Sequence, residues 1–365
     1  VGSEMCIRDR FYDKSQMLGQ FTVNYDRTFN DVHHVGGVIG WEVQKRNGDN
    51  FYAVRDLAFS MPYLLAGVTE GQIGAMQTGN NDLYEQANEA LIGRINYSFA
   101  DRYLLEAQFR YDGSSKFAKG HQWGFFPSVS AGWRISEEPF FKSIDVLKFV
   151  NQLKLRASYG QTGNFQIGNY RHLATMSTDD YILGTGSGSL VSGYKPSDVE
   201  NPDLTWEKTS MFNVGADLSV LGGYLNLTAE YYYANTTDML LEVPIPHLTG
   251  YSTTLMNIGK VNNRGWELSA SSQHSFANGI SYSLNANWAT NTNEVKALGA
   301  NDTPIIKSGS VDHAYYITKV GEPIGSYYLL VQDGIFRNEE DLKAYPHVSS
   351  AQPGDFRFVD VDGDG

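Results

Sequence analysis

The chain has 365 residues, with 28 Lys and Arg against 41 Asp and Glu, for a formal net charge of −13. That acidic balance excludes a nucleic-acid binder, which needs a basic footprint, and 41% apolar residues exclude a disordered chain. A single Cys excludes a disulfide framework or thiolate metal cage, and the lack of any run near 18 apolar residues excludes transmembrane helices, though not crossing by strands.

Residues 1–10 (VGSEMCIRDR) are mixed in charge, carry the one Cys, and lack the charged and apolar regions of a signal peptide. They match nothing that follows, so we set them aside as foreign to the fold and take 11–365 as one partial domain. Two strands are expected at about 17–29 and 33–46. From residue 91 a period-2 alternation dominates. Leu91, Gly93, Ile95, Tyr97 and Phe99 share one face, and Arg94, Asn96 and Ser98 share the other. The same grammar predicts strands at 103–111, 126–136, 153–159, 212–218, 225–233, 259–275 and 280–288, about ten in all.

The connections alternate in length. Short links are expected at Asn30-Asp31, Ala100–Arg102, Leu221–Gly223 and Ala277–Gly279, with a longer one at 137–151 that suits a small helix (Pro139, Phe140, Phe141, Ile144, Leu147). Long links are expected at 47–88, 113–122, 161–205, 236–257 and after 295. Compact soluble domains rarely hold several structureless loops beyond about 12–15 residues; outer-membrane barrels do so routinely. The strands reach roughly 10 residues, near a tilted bilayer crossing. Their apolar faces carry no charge in the clearest strands, and aromatics (Phe99, Tyr103, Tyr111, Trp133, Tyr159, Tyr231, Tyr233) mark the strand ends, as interfacial girdles require. The block Trp123-Gly124-Phe125-Phe126-Pro127 reads as girdle and strand start. The fold class is therefore all-β, an antiparallel transmembrane β-barrel fragment; a soluble β-sandwich or adhesin array is the alternative.

Particular runs carry a resemblance. RINYSFADRYLLEAQFRYDGSSKF (94–117), WGFFPSVSAGWRISEEPF (123–140), LKLRASYGQTGNFQIGNY (153–170), NPDLTWEKTSMFNVGAD (201–217), NIGKVNNRGWEL (257–268) and AQPGDFRFVDVDGDG (351–365) resemble the barrel of the SusC/RagA family of TonB-linked outer-membrane proteins, in family order from about residue 90. The resemblance implies a barrel of about 22 strands that imports oligosaccharides or peptides across an outer membrane. It also implies a SusD-type surface lipoprotein as partner, outer-membrane lipid around the wall, and drive from the TonB complex. A siderophore or vitamin receptor of the wider TonB-dependent class is the runner-up. Against that pattern the chain reads as the middle-to-late portion of a barrel, without plug, TonB box or final strands, and without catalysis.

Candidate contact residues are few. Arg94, Glu106, Arg110, Arg134, Lys154 and Arg156 alternate onto the polar, lumen-facing side. Cross-strand pairing accounts for them as well as contact with plug or substrate does. Tyr170, Tyr181 and Tyr194 flank a Gly/Ser run at 184–189 and either stack on a ligand or pack their loop. Asp360, Asp362 and Asp364, interleaved with Gly, open like the first half of a Ca²⁺ loop or form an Asp/Gly turn. No cofactor is otherwise expected. His33 and His34 are adjacent, so on a strand they point to opposite faces and cannot chelate one ion.

Overall fold

Alternating apolar runs separated by tight reversals fold as an antiparallel meander. The computed structural model describes residues 5–57, 72–75, 83–184, 189–196, 199–245, 248, 250–251, 253–299, 301–309, 315–361 and 363. In its main sheet each long strand pairs with the next along the chain. We number these β1 (Met5–Phe29), β2 (His33–Leu57), β3 (Tyr84–Phe99), β4 (Tyr103–Ser114), β5 (Trp123–Arg134) and β6 (Val150–Asn164). There follow β7 (Glu207–Val220), β8 (Leu225–Pro244), β9 (Thr253–Ser275) and β10 (Ser281–Ala289). A further strand, β11 (Thr292–Leu298), continues β10 along β9 in the same register, since Glu267 opposes Ala289 and Arg264 opposes Thr292. The ten strands of the meander are the ten read from alternation. Among the described residues β1 and β10 do not pair with each other, so the sheet is open. Its accessible surface of 24591 Å² far exceeds the roughly 15,000 Å² of a compact chain this size.

All four short links form reversals at one end of the sheet. Asn30 and Asp31 (φ 50° and 59°) and Ala100 and Asp101 (φ 49° and 51°) are left-handed pairs. Val32 N–H donates to the Phe29 carbonyl at 3.2 Å and Arg102 N–H to that of Phe99 at 3.0 Å. These are type I′ turns, whose twist matches that of the strands they join. The 137–151 link holds the expected helix, Pro139–Lys142, between single 3₁₀ turns at Ile135–Glu137 and Asp145–Leu147.

At the opposite end the strands outrun their sequence signal. β2 continues to Leu57 and β3 begins at Tyr84, inside the expected 47–88 loop. β1 continues through Met5–Arg10, paired with Tyr52–Leu57. Beyond a membrane both faces of a ribbon are wet, so the ladder persists while apolar alternation disappears. The 161–205 link contains a hairpin, Met176–Leu183 with Ser189–Pro196. The chain after Leu298 forms small sheets (Ile305–Ser308, Tyr315–Thr318, Ser326–Tyr328; Gln332–Ile335, Phe356–Phe358) and a helix, Glu339–Ala344.

The main apolar core lies on the polar face at the long-loop end, where loops fold back on the sheet. Phe117, Phe126, Ile167, Leu204 and Trp206 are buried together, with Phe165, Leu240 and Leu255 against them. Phe126 thus departs from the girdle reading of its block: Trp123 and Phe125 are exposed, but Phe126 turns inward. Gly163 faces its ring so closely that no side chain fits there. Polar side chains hold the incoming loop. Trp206 Nε1 donates to the Gln122 carbonyl at 2.9 Å, and Asn257 both accepts from Thr205 N–H (2.9 Å) and donates to the Thr205 and Asp238 carbonyls (2.8 Å each). Lys116 lies over the Phe165 ring at 5.2 Å, and burial, then nearby Arg46, lower its ammonium's pKa.

Candidate functional site

Directly opposed residues share a face, so the register sorts every side chain. Across β1–β10 one face carries Phe21, Trp41, Leu91, Tyr111, Phe125, Val129, Tyr159, Phe212, Tyr231, Trp266, Leu284 and Trp288. Most of these large side chains are exposed. An apolar surface of this extent marks a face that meets lipid or another protein, and the aromatic rows that bound it select lipid.

Two aromatic rows bound it. At the short-turn end His33, Phe99, Tyr103 and Trp133 follow one another at centroid distances of 5.0, 6.3 and 6.4 Å. At the loop end Tyr111 stacks on Trp123 at 4.8 Å, and Tyr231 meets Trp266 at 5.0 Å. Both rows slope. Tyr111 opposes Phe125; four residues on, Val129 aligns with Tyr159, Phe212 and Tyr233; two residues on, Tyr231 opposes Trp266. That is six residues over five strand steps. The lower row stays level from His33 to Trp133 and slopes beyond β5, where Trp133 aligns through Leu155, Ala216, Ala229 and Leu268 with Trp288, six residues above Tyr282. At ~3.4 Å per residue and ~4.8 Å per strand, six over five is a tilt of about 40°, within the range of barrels. Trp123 and Trp133 are ten residues apart on β5, which at that tilt is about 26 Å along the membrane normal, the height of an outer-membrane apolar band. Arg27 lies below the sloping band, and Lys45, Glu89 and Arg264 lie above it.

The other face is polar and carries the candidate residues. A concavity of about 370 Å³ is lined by His34, Asn96, Glu106, Ser130, Lys154, Arg156 and Asn213 among others. Of the six charged candidates it brings together Glu106, Lys154 and Arg156. Arg156 is cross-strand paired: Nε lies 3.3 Å from Asp217 Oδ2 and Nη2 2.8 Å from Glu230 Oε2, while Asn213 also donates to Glu230. Gly215 lies between Arg156 and Glu230 in the register, and a Cβ there would come within 2.9 Å of the guanidinium carbon. The gap at Gly215 lets the Arg156 side chain span two strands. Arg110 instead makes a bidentate pair with Asp112 on its own strand (2.8 and 3.1 Å), and Arg134 donates to the Asp101 carbonyl at 3.2 Å. Lys154 and Arg94 form no ion pair among the described residues. Asn213, Gly215, Asp217 and Glu230 completed a network that the alternation alone had only assigned to a face.

The tyrosines do not converge. The Tyr170 hydroxyl accepts from Glu85 N–H at 2.9 Å and donates to its carbonyl, tying its loop to β3. Tyr181 opposes Val191 whereas Tyr194 opposes Thr178, so the two point to opposite faces of their hairpin. Asp360 Oδ1 accepts from Gly363 N–H at 2.7 Å, while Asp362 and Asp364 lie outside the described residues. No cluster of three potential metal ligands occurs among the described residues. His33 bonds Tyr97 (2.8 Å) and His34 bonds Thr28 and Asp26 on the other face, as the pleat dictates.

At the short-turn end, Glu138 accepts from Arg102 Nη1 and Trp133 Nε1, each at 3.0 Å. The Tyr103 hydroxyl, then the Trp133 indole and Arg102, hold its carboxyl below the ordinary value of 4.5.

A tilted antiparallel wall with an apolar band between aromatic girdles and a polar inner face defines an outer-membrane β-barrel. The chain belongs to the TonB-dependent receptor family, matching the description "TonB dependent receptor-like, beta-barrel" over residues 7–326. It is similar to TonB-dependent receptor P39 of Formosa agariphila, 36% identical over 320 residues, 87% of this chain and 29% of that protein. TonB-dependent receptor SusC of Bacteroides thetaiotaomicron is 31% identical over 280 residues, 75% of this chain and 26% of that protein. Among solved structures the RagAB peptide transporter matches with a TM-score of 0.75 and 26% identity, over 90% of this chain and 35% of that one. The chain thus spans between 26% and 36% of the curated relatives it matches. The family is one of receptors rather than enzymes, its members reside in the outer membrane, and the soluble-sandwich alternative is set aside.

Proposed function

We propose that this chain is part of the wall of a TonB-dependent importer of large nutrients, oligosaccharides or peptides, acting with a SusD-type surface lipoprotein and without catalysis. The observation that carries the reading is the shared likeness to SusC and to the RagAB peptide transporter across most of the chain. On this reading Arg94, Glu106, Arg110, Arg134, Lys154 and Arg156 face the lumen. Lys154 and Arg94, which have no ion-pair partner among the described residues, are the cations free to meet a plug segment or a passing ligand. Tyr181 and Tyr194 contribute to external capture singly rather than as a joint platform.

The test is growth and uptake. A strain lacking the full-length receptor should lose use of one glycan or peptide source, and a tonB deletion should reproduce that loss. Loss of siderophore-dependent growth instead would assign the receptor to the other branch of the class.

A further inference from the structure

Four of the links at the short-turn end reverse the chain in a few residues, so fifteen residues at 135–149 exceed what a turn requires. The surplus is apolar and outward. Phe140 is 55% exposed, Ile144 43%, Val146 79% and Phe149 49%, whereas Phe141 alone among the segment's large apolar chains is buried. In water such a cluster on one short segment is unfavourable.

The segment's position follows from Glu138. Its carboxylate is bound by Trp133, a girdle residue of the lipid-contacting face, and by Arg102 in the adjacent turn, which lies over the ring of the girdle residue Tyr103 at 5.9 Å. The chain leaving β5 is therefore anchored on the outside of the wall, at the lower girdle, not under the lumen. It is continuous with the lipid interface at both ends, through Trp133 before it and Leu155 after it. The segment's charges are matched locally: Lys142 Nζ lies 2.6 Å from Glu137 Oε2 and Lys148 Nζ 2.6 Å from Asp145 Oδ1. With Glu138 paired to Arg102, it leaves no unpaired charge to draw a charged protein partner.

We propose that residues 139–149 form an in-plane foot whose Phe140, Ile144, Val146 and Phe149 side chains insert among the phospholipids of the periplasmic leaflet. Aromatic and aliphatic chains at that depth remain buried from water while the paired charges stay at the headgroup level.

The test uses the full-length receptor with Cys6→Ser and a single probe site, Val146→Cys or Phe140→Cys, carrying an environment-sensitive fluorophore. Asp31→Cys, in the β1–β2 turn, is the water-exposed control. Each protein is reconstituted in phosphatidylethanolamine/phosphatidylglycerol vesicles with and without brominated acyl chains, after heat-modifiable mobility shows an intact barrel. Bromine should quench the probes at 146 and 140 at least about twofold, with blue-shifted emission, and leave position 31 unchanged. Quenching by aqueous iodide at 146 and 140 equal to that at 31 would overturn the proposal. So would shielding from both quenchers, which would place the side chains against protein.

Discussion

Arg156 and Glu230 sit on strands that are not neighbours, yet Nη2 and Oε2 are 2.8 Å apart. The strand between them contributes Gly215, and the guanidinium lies in the space a side chain would fill. Substituting Glu230→Gln should cost about 1–2 kcal/mol, the worth of one charge-assisted bond in a partly buried setting. Gly215→Ala should cost a similar amount by pushing Arg156 aside. Because both act on one contact, the double variant should cost less than the sum. Denaturant unfolding of the full-length barrel in vesicles measures this, and strict additivity would show that Gly215 does not serve the pair.

The lipid band predicts an asymmetry between adjacent residues on β5. Val129→Arg places a cation near the midplane of the apolar band and should destabilise by about 2–4 kcal/mol. Ser130→Arg, one residue on, faces the polar concavity and should fall within about 1 kcal/mol. Comparable losses at both positions would contradict the assignment of faces.

Glu138 sets a pH dependence. Its folded pKa is depressed, so its contribution is present above the ordinary carboxylate pKa and is lost as pH falls through its folded value. The foot at 139–149 should therefore release on acidification below the usual carboxylate range. Glu138→Gln should remove that dependence while weakening attachment at neutral pH. Fluorescence from a probe at position 146, titrated with pH, distinguishes Glu138→Gln from the unaltered receptor.

The loop-end core predicts a local failure. Trp206 is 2% exposed and Leu204 is fully buried. Trp206→Ala should cost about 3–5 kcal/mol and free the 165–206 segment. Limited proteolysis should then cut within 165–206 while the heat-modifiable barrel survives.

Ala100 holds φ 49° in a type I′ turn, a conformation an alanine adopts at a cost. Ala100→Gly should relieve strain and raise stability by up to about 1 kcal/mol, provided the gain exceeds the entropy that glycine adds to the unfolded chain. A fall in stability would mean that the strain is negligible.

Strands that cross lipid were legible because water and lipid impose opposite demands on alternate residues: Val129 and Ser130 differ for that reason. The same rule failed where both faces are wet, so the reach of β1 before Met17 and of β2 beyond Arg46 was hidden. Reading the block 123–127 as girdle missed Phe126, which shares the polar face with Ser128 and is covered there by a loop carrying Trp206. The charged residues were sorted to a face, but their partners were not. Arg110 finds Asp112 two residues along, whereas Arg156 finds Asp217 and Glu230 across strands, and only register separates those outcomes. Tyr181 and Tyr194 were close in sequence and diverge because a hairpin's two strands are in phase about their turn.

The slope of the girdles has a consequence for anything moving along the inner face. At a tilt of about 40°, stepping sideways to the next strand along a hydrogen-bonded row also climbs about 3 Å toward the cell exterior. The row containing Arg156, Gly215 and Glu230 is therefore a ramp and not a ring, and Glu230 stands about 6 Å higher than Arg156 along the channel axis. From β5 to β9 one such row ascends by about 12 Å. Polar groups spaced along it therefore stand at successive depths, arranged as a helix around the wall and not at one level.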